Sequence, residues 1–173
     1  PEVQVAVLSR QIDELTKLRL DTKEFGSFEM GRNERLLVSA DAEAVEIEVE
    51  VDLRGSMEMG GRIIPSRVDR FGFEVHKTAD GHHSYVNYDG LSGRVGIDQR
   101  LTYAGERSHR SAPVRGNSSV QGDDLHLGSG SARNDSVTRS DTLKLRIFID
   151  RGSIEVFVND GESVLSSFSF PGE

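Results

Sequence analysis

Strict two-residue alternation of aliphatic side chains dominates the last third of the chain and constrains the fold more than any other feature. Four aliphatic residues alternate through residues 143–149, and three more alternate through residues 154–158. A period of two places these side chains on one face of an extended strand. The Arg151-Gly152 pair between the runs predicts a two-residue turn, so the two strands form an antiparallel hairpin.

This turn length fixes which residues face each other across the hairpin. The predicted inner-face pairs are Ile149–Ile154, Ile147–Val156 and Leu145–Val158, and the outer-face pairs are Phe148–Glu155 and Arg146–Phe157. Asn159-Asp160-Gly161 then predicts a three-residue turn into a third strand. That register places Val164, Phe168 and Phe170 in the core.

The rest of the chain also favours strands. Alternation or turn signals predict strands at residues 45–53, 71–77, 83–89 and 93–98, and residues 3–19 are the only good helix candidate. Residues 116–141 are rich in Ser, Gly, Asn and Asp, which predicts a long mobile loop. Many short strands with hardly any helix predict an all-β fold, a two-sheet antiparallel sandwich of the jelly-roll or concanavalin-like kind.

The first strand, residues 45–53, carries carboxylates at alternate positions. Its polar side chains are Glu46, Glu48, Glu50 and Asp52. Same-face neighbours on one strand lie about 7 Å apart, which is too far to chelate a cation without a second strand. We therefore expect a solvated face here.

Composition and short motifs exclude several functions. A net charge of -8 argues against a nucleic-acid partner, and no apolar stretch approaches the length of about 20 residues that spans a membrane. The chain has no cysteine, which excludes disulfides, thiolate catalysis and cysteine-ligated zinc. Gly128-Ser129-Gly130-Ser131 is not a nucleotide-binding P-loop, because no Gly-Lys-Ser/Thr follows it. Gly90-Leu91-Ser92-Gly93 breaks the G-x-S-x-G spacing, so we interpret it as a turn. No cofactor, metal ion or catalytic residue is expected. The sequence is compatible with either a secreted or a cytoplasmic bacterial protein.

The outer face of the terminal hairpin is the one candidate site. It groups Arg146, Phe148, Glu155 and Phe157 on a face that should be wet. Two aromatic side chains there suggest that another surface covers them, or that they contact a sugar. Arg146 lies opposite Phe157 in the predicted register, which permits a cation–π contact between them.

Residues 145–161, read as LRIFIDRGSIEVFVNDG, resemble the signature of the C-terminal sandwich in glycoside hydrolase family 32, the invertases, inulinases and levanases. Three further segments are similar to the family in the same order: ELTKLR at 14–19, YDGLSGRVGID at 88–98, and residues 109–114. The resemblance implies that residues 1–20 are a linker helix leading from a catalytic propeller. Residues 21–173 are then the sandwich.

The family's chemistry belongs to that N-terminal propeller, whose motifs are W-M-N-D-P-N-G, R-D-P and E-C. This chain contains no Trp, no Cys and no Asp-Pro, so all three motifs are absent. The resemblance therefore implies an accessory domain that supports a propeller acting on fructan or sucrose and that is inactive by itself. A fructan-binding module and a homodimerisation domain are the alternatives.

Overall fold

The computed structural model describes residues 17–31, 33–38, 44–102, 109–114 and 141–169. Nearly all of the predicted helix at 3–19 and of the predicted loop at 116–141 lies outside the described residues, as does Phe170.

Ten strands account for most of the described chain. They are β1 (Val45–Asp52), β2 (Arg54–Met59), β3 (Arg62–Arg67), β4 (Arg70–Val75), β5 (Ser84–Asp89), β6 (Arg94–Asp98), β7 (His109–Pro113), β8 (Thr142–Asp150), β9 (Ser153–Val158) and β10 (Ser163–Phe168). A 3-10 turn at Asn159–Gly161 joins β9 to β10. The predicted strands are confirmed, and the β2–β3 hairpin is a strand pair that sequence reasoning did not predict.

The strands form two four-stranded antiparallel sheets and a separate hairpin. One sheet has the order β1-β8-β9-β10 and the other the order β4-β5-β6-β7, while β2 pairs only with β3. One cluster of buried side chains draws on both sheets, including Ile147 and Val156 from the first and Val86 and Ile97 from the second. The fold is therefore a two-sheet antiparallel sandwich, as predicted.

The register of the terminal hairpin matches the prediction from the two-residue turn. All five predicted pairs between β8 and β9 are present, on both faces. Ile147, Ile149, Ile154, Val156 and Val158 are buried.

The predicted register of the last strand is wrong by one residue. Ser163 pairs with Val158, so four residues connect β9 to β10 rather than three. The φ angles of Asn159, Asp160 and Gly161 are 47°, 59° and 95°, a left-handed run that lengthens the turn.

This shift of one residue exchanges the two faces of β10. Leu165 takes the core position opposite Val156, whereas Val164 and Phe168 point outward, and the side chain of Phe168 is 74% exposed. Both residues were predicted to lie in the core.

A buried polar contact ties the two sheets together at one end. His76, directly after β4, lies 2.6 Å through Nδ1 from the Ser169 hydroxyl, which is 2.9 Å from the Ser84 hydroxyl. The backbone N–H of Ser169 donates to the carbonyl of Gly152 at 2.9 Å. These bonds fix Ser169, directly after β10, against the second sheet.

Candidate functional site on the outer face of the terminal hairpin

The structure brings the four predicted site residues together on the outer face of β8 and β9. The rings of Phe148 and Phe157 meet edge to face, with centroids 5.8 Å apart and planes at 81°. The Arg146 guanidinium lies over Phe148, its Cζ 5.3 Å from the ring centroid. The cation–π partner is thus Phe148 on the same strand rather than Phe157, the residue expected from the register.

Arg146 also belongs to an arginine–glutamate cluster with Arg19, Glu46 and Glu48. Its Nε donates to Glu46 Oε1 and lies 3.2 Å from Glu48 Oε1. From the other side, Arg19 donates through Nε to Glu46 Oε2 at 2.7 Å and through Nη2 to Glu48 Oε1 at 2.8 Å. Two positive and two negative groups therefore balance across β1 and β8.

Glu46 is the most enclosed carboxylate of the cluster, with only 16% of its side chain exposed. Burial raises the pKa of Glu46, but the hydrogen bonds from Arg19 and Arg146 outweigh that effect and hold its pKa below the ordinary value. The hydrogen bond to Glu46 is also the largest cause that raises the pKa of Arg19. The prediction that the polar face of β1 is solvated is therefore wrong for Glu46, because two arginines cover this side chain. It is confirmed for Glu48, Glu50 and Asp52, which are exposed.

Two polar groups at this face are left without partners among the described residues. Nη2 of Arg146 is buried and has no hydrogen bond there, a condition that costs roughly 1–3 kcal/mol for a typical group. Glu155 is exposed and forms no ion pair within the described chain. The face therefore keeps an exposed acceptor, Glu155, for a further contact, whereas the unpaired donor of Arg146 is enclosed.

The cluster is suited to recognition and packing rather than to acid catalysis. A catalytic acid in a glycosidase needs a carboxyl group whose pKa is raised. The arginines act in the opposite direction on Glu46. Within the described ranges, no three His, Asp or Glu side chains are placed to hold a metal ion.

The other sequence candidates have local structural roles. Asp89 Oδ1 accepts hydrogen bonds from the backbone N–H groups of Leu91 and Ser92, at 2.9 and 3.2 Å, so the Gly90–Gly93 segment is a turn as predicted.

Between β7 and β10 lies a shallow cleft lined by Ser111, Ala112 and residues 164–166. Across the described chain, no helix has the length and apolar character that crossing a membrane requires.

Sequence reasoning missed Arg19 as a site residue. The residue stands at the end of the ELTKLR segment, 27 positions before Glu46, so their contact is not local. The alternating carboxylates of β1 were the available signal, since such a row on an outer face can receive arginines from elsewhere in the chain.

The fold and this charged, partly aromatic outer face define an all-β sandwich domain. Residues 14–173 match the family model described as "Glycosyl hydrolases family 32 C terminal". The chain therefore belongs to the C-terminal domain family of family 32 glycosyl hydrolases, and this confirms the resemblance seen in its sequence.

Two named relatives and one solved structure are similar to this chain. The levanase of Bacillus subtilis (strain 168) is 25% identical over 168 residues, covering 96% of this chain and 21% of its own length. The sucrose-6-phosphate hydrolase of Klebsiella pneumoniae is 62% identical over 34 residues, which are 20% of this chain and 7% of that protein. An exo-inulinase from Aspergillus awamori aligns with 81% of this chain and 25% of its own, with 18% identity and a TM-score of 0.44. The matched part of the chain thus spans 21% or less of the length of the two curated relatives.

Proposed function

We propose that this chain is the accessory C-terminal sandwich of a β-fructofuranosidase-type hydrolase that acts on fructan or sucrose. In this proposal it supports a catalytic propeller in the same polypeptide and has no catalytic residues of its own. The names of the levanase and sucrose-6-phosphate hydrolase relatives support this substrate class. We also propose that residues 1–20 link the two domains and that residues 21–173 form the sandwich.

The arginine–glutamate cluster is the observation that carries this proposal. Arg19 closes the ELTKLR segment, which resembles the family's junction between propeller and sandwich. Its guanidinium binds both Glu46 and Glu48 and so attaches the junction to the outer face of the first sheet. A junction fixed at this point would restrain the orientation of the preceding domain, as a supporting role requires.

The test compares three proteins in assays of fructose release from sucrose, inulin and levan. They are the full-length polypeptide, the same polypeptide without residues 14–173, and this chain alone. We expect no activity from the chain alone and faster thermal inactivation of the truncated enzyme. Turnover by the repurified chain, or equal inactivation half-lives with and without it, would contradict the proposal.

Direct sugar binding is a second candidate function for the same face. The exposed Glu155 beside Phe157 favours it, because aromatic rings stack on sugars while carboxylates accept bonds from hydroxyl groups. NMR titration of the chain with fructose and levan oligosaccharides tests this function. Shift changes confined to Arg146, Phe148, Glu155 and Phe157 would favour a fructan-binding module. No change at saturating sugar would leave the face as a packing surface.

A further inference from the structure

One stretch of the chain exposes all of its large apolar side chains. Between residues 18 and 38, the described leucine, phenylalanine, methionine and valine side chains are 49–101% exposed, eight in total. We call residues 18–38 the apolar segment. Its described residues contain no strand, so it contributes nothing to either sheet.

The rest of the described chain differs from this pattern. Its other exposed large apolar residues are fewer and more dispersed; for example, Met59 and Ile63 lie on the β2–β3 hairpin, and Leu91 lies in the turn between β5 and β6. Single exposed apolar residues are normal on protein surfaces, whereas a concentration of them marks an interaction site. The apolar segment is the only such concentration within the described residues.

Ion pairs connect the apolar segment to both sheets. Near its start, Arg19 binds Glu46 on β1, an edge strand of the first sheet. Near its end, Arg35 Nη1 lies 3.6 Å from Glu74 Oε1 on β4, an edge strand of the second sheet. The segment is therefore held to the sandwich by its polar side chains while its apolar side chains remain free.

We propose that the apolar segment is the docking surface for the preceding catalytic domain of the same polypeptide. This inference rests on the proposed function and names the surface through which the support would act. The occupant follows from the family and from the length of the levanase, because the matched family is a C-terminal domain and this chain spans 21% of that protein. A domain attached just before the segment has a high effective concentration there, so a modest interface is sufficient.

The experiment substitutes Leu20→Ser and Leu37→Ser together, because these side chains are 101% and 91% exposed. A control carries Ile63→Ser and Leu91→Ser, whose side chains are 79% and 90% exposed but lie elsewhere. Both pairs are made in this chain alone and in the full-length polypeptide. In the chain alone, we expect unchanged urea midpoints for both pairs.

In the full-length polypeptide, we expect the Leu20/Leu37 pair to shorten the thermal inactivation half-life of the enzyme at least threefold. Calorimetry should then show two separate unfolding transitions, whereas the control should behave like the unsubstituted protein. Equal behaviour of the two pairs would overturn the proposal. A homodimer of the isolated chain that only the Leu20/Leu37 pair dissociates would assign the surface to a second copy and overturn it too.

A wrong assignment of the docking surface can be distinguished from a failure of the proposed supporting function. If removal of residues 14–173 leaves the inactivation half-life unchanged, the supporting role itself is wrong. If that removal shortens the half-life but the Leu20/Leu37 pair matches its control, only the assignment of the apolar segment is wrong.

Discussion

Ile147 occupies the centre of the first sheet, and its truncation measures how much the buried face of the hairpin stabilises the fold. The residue is 0% exposed, and on β8 it faces Ile47 of β1 on one side and Val156 of β9 on the other. Ile147→Ala removes three buried carbon atoms, a loss of about 2.4 kcal/mol at about 0.8 kcal/mol each. The cavity left behind adds to this loss, so the free energy of unfolding should fall by about 3–4 kcal/mol.

Urea denaturation followed by circular dichroism measures this change, and Phe168→Ala is the matched control. Phe168 was also predicted to lie in the core, but it is 74% exposed, so its truncation should change the free energy of unfolding by less than about 0.5 kcal/mol. With a urea m-value of roughly 2 kcal/mol/M, Ile147→Ala should lower the midpoint by more than about 1 M. Equal midpoint shifts for the two variants would refute the observed register of β10 or the burial of β8.

Two further predictions concern the second sheet. Burial lowers the pKa of His76, so its neutral form stabilises the fold above the ordinary histidine pKa, and this stability is lost as the pH falls through the lowered value. The urea midpoint of the unsubstituted protein should therefore drop between pH 7.5 and 5 by more than the midpoint of the His76→Asn variant. Asparagine tolerates the φ of 52° at this position but does not titrate. Parallel pH profiles of the two proteins would contradict this role of His76. Gly72→Ala places a Cβ 2.7 Å from the Tyr85 ring and against the Val86 carbonyl. The free energy of unfolding, measured in urea, should therefore fall by about 1–3 kcal/mol. The control Gly26→Ala, which has open space around its Cβ, should leave it unchanged.

The β8–β9 hairpin was predictable from sequence because every determinant of its register is local. The aliphatic period fixes the buried face, and the two-residue turn at Arg151-Gly152 fixes the alignment. The next turn has no such constraint, since Asn159-Asp160-Gly161 tolerates left-handed backbone at three successive positions. Val164 and Leu165 are adjacent and both apolar, so hydrophobic pattern alone does not choose which of them enters the core.

The candidate site was only half predictable for a related reason. The four hairpin residues follow from the register, but the positions that determine their charge environment come from distant parts of the chain. Glu46 lies 100 residues from Arg146 in sequence, and Arg19 lies a further 27 residues before it. Side-chain contacts at such separations depend on the assembled sheets rather than on any local pattern.

The arginine–glutamate cluster and the apolar segment share Arg19. This residue is the first charged residue of the segment, and it also binds Glu46 on β1. Glu48 is 56% exposed, so solvent and salt weaken its contribution, whereas Glu46 is enclosed and contacts both arginines. Glu46 is therefore the less screened of the two carboxylates that attach Arg19 to the first sheet. The same bonds engage the Nε atoms of Arg19 and Arg146, whereas Glu155 on β9 is exposed and forms no ion pair within the described chain. Attachment of the apolar segment therefore depends on β1 and β8, whereas the carboxylate left exposed for a further contact, Glu155, lies on β9.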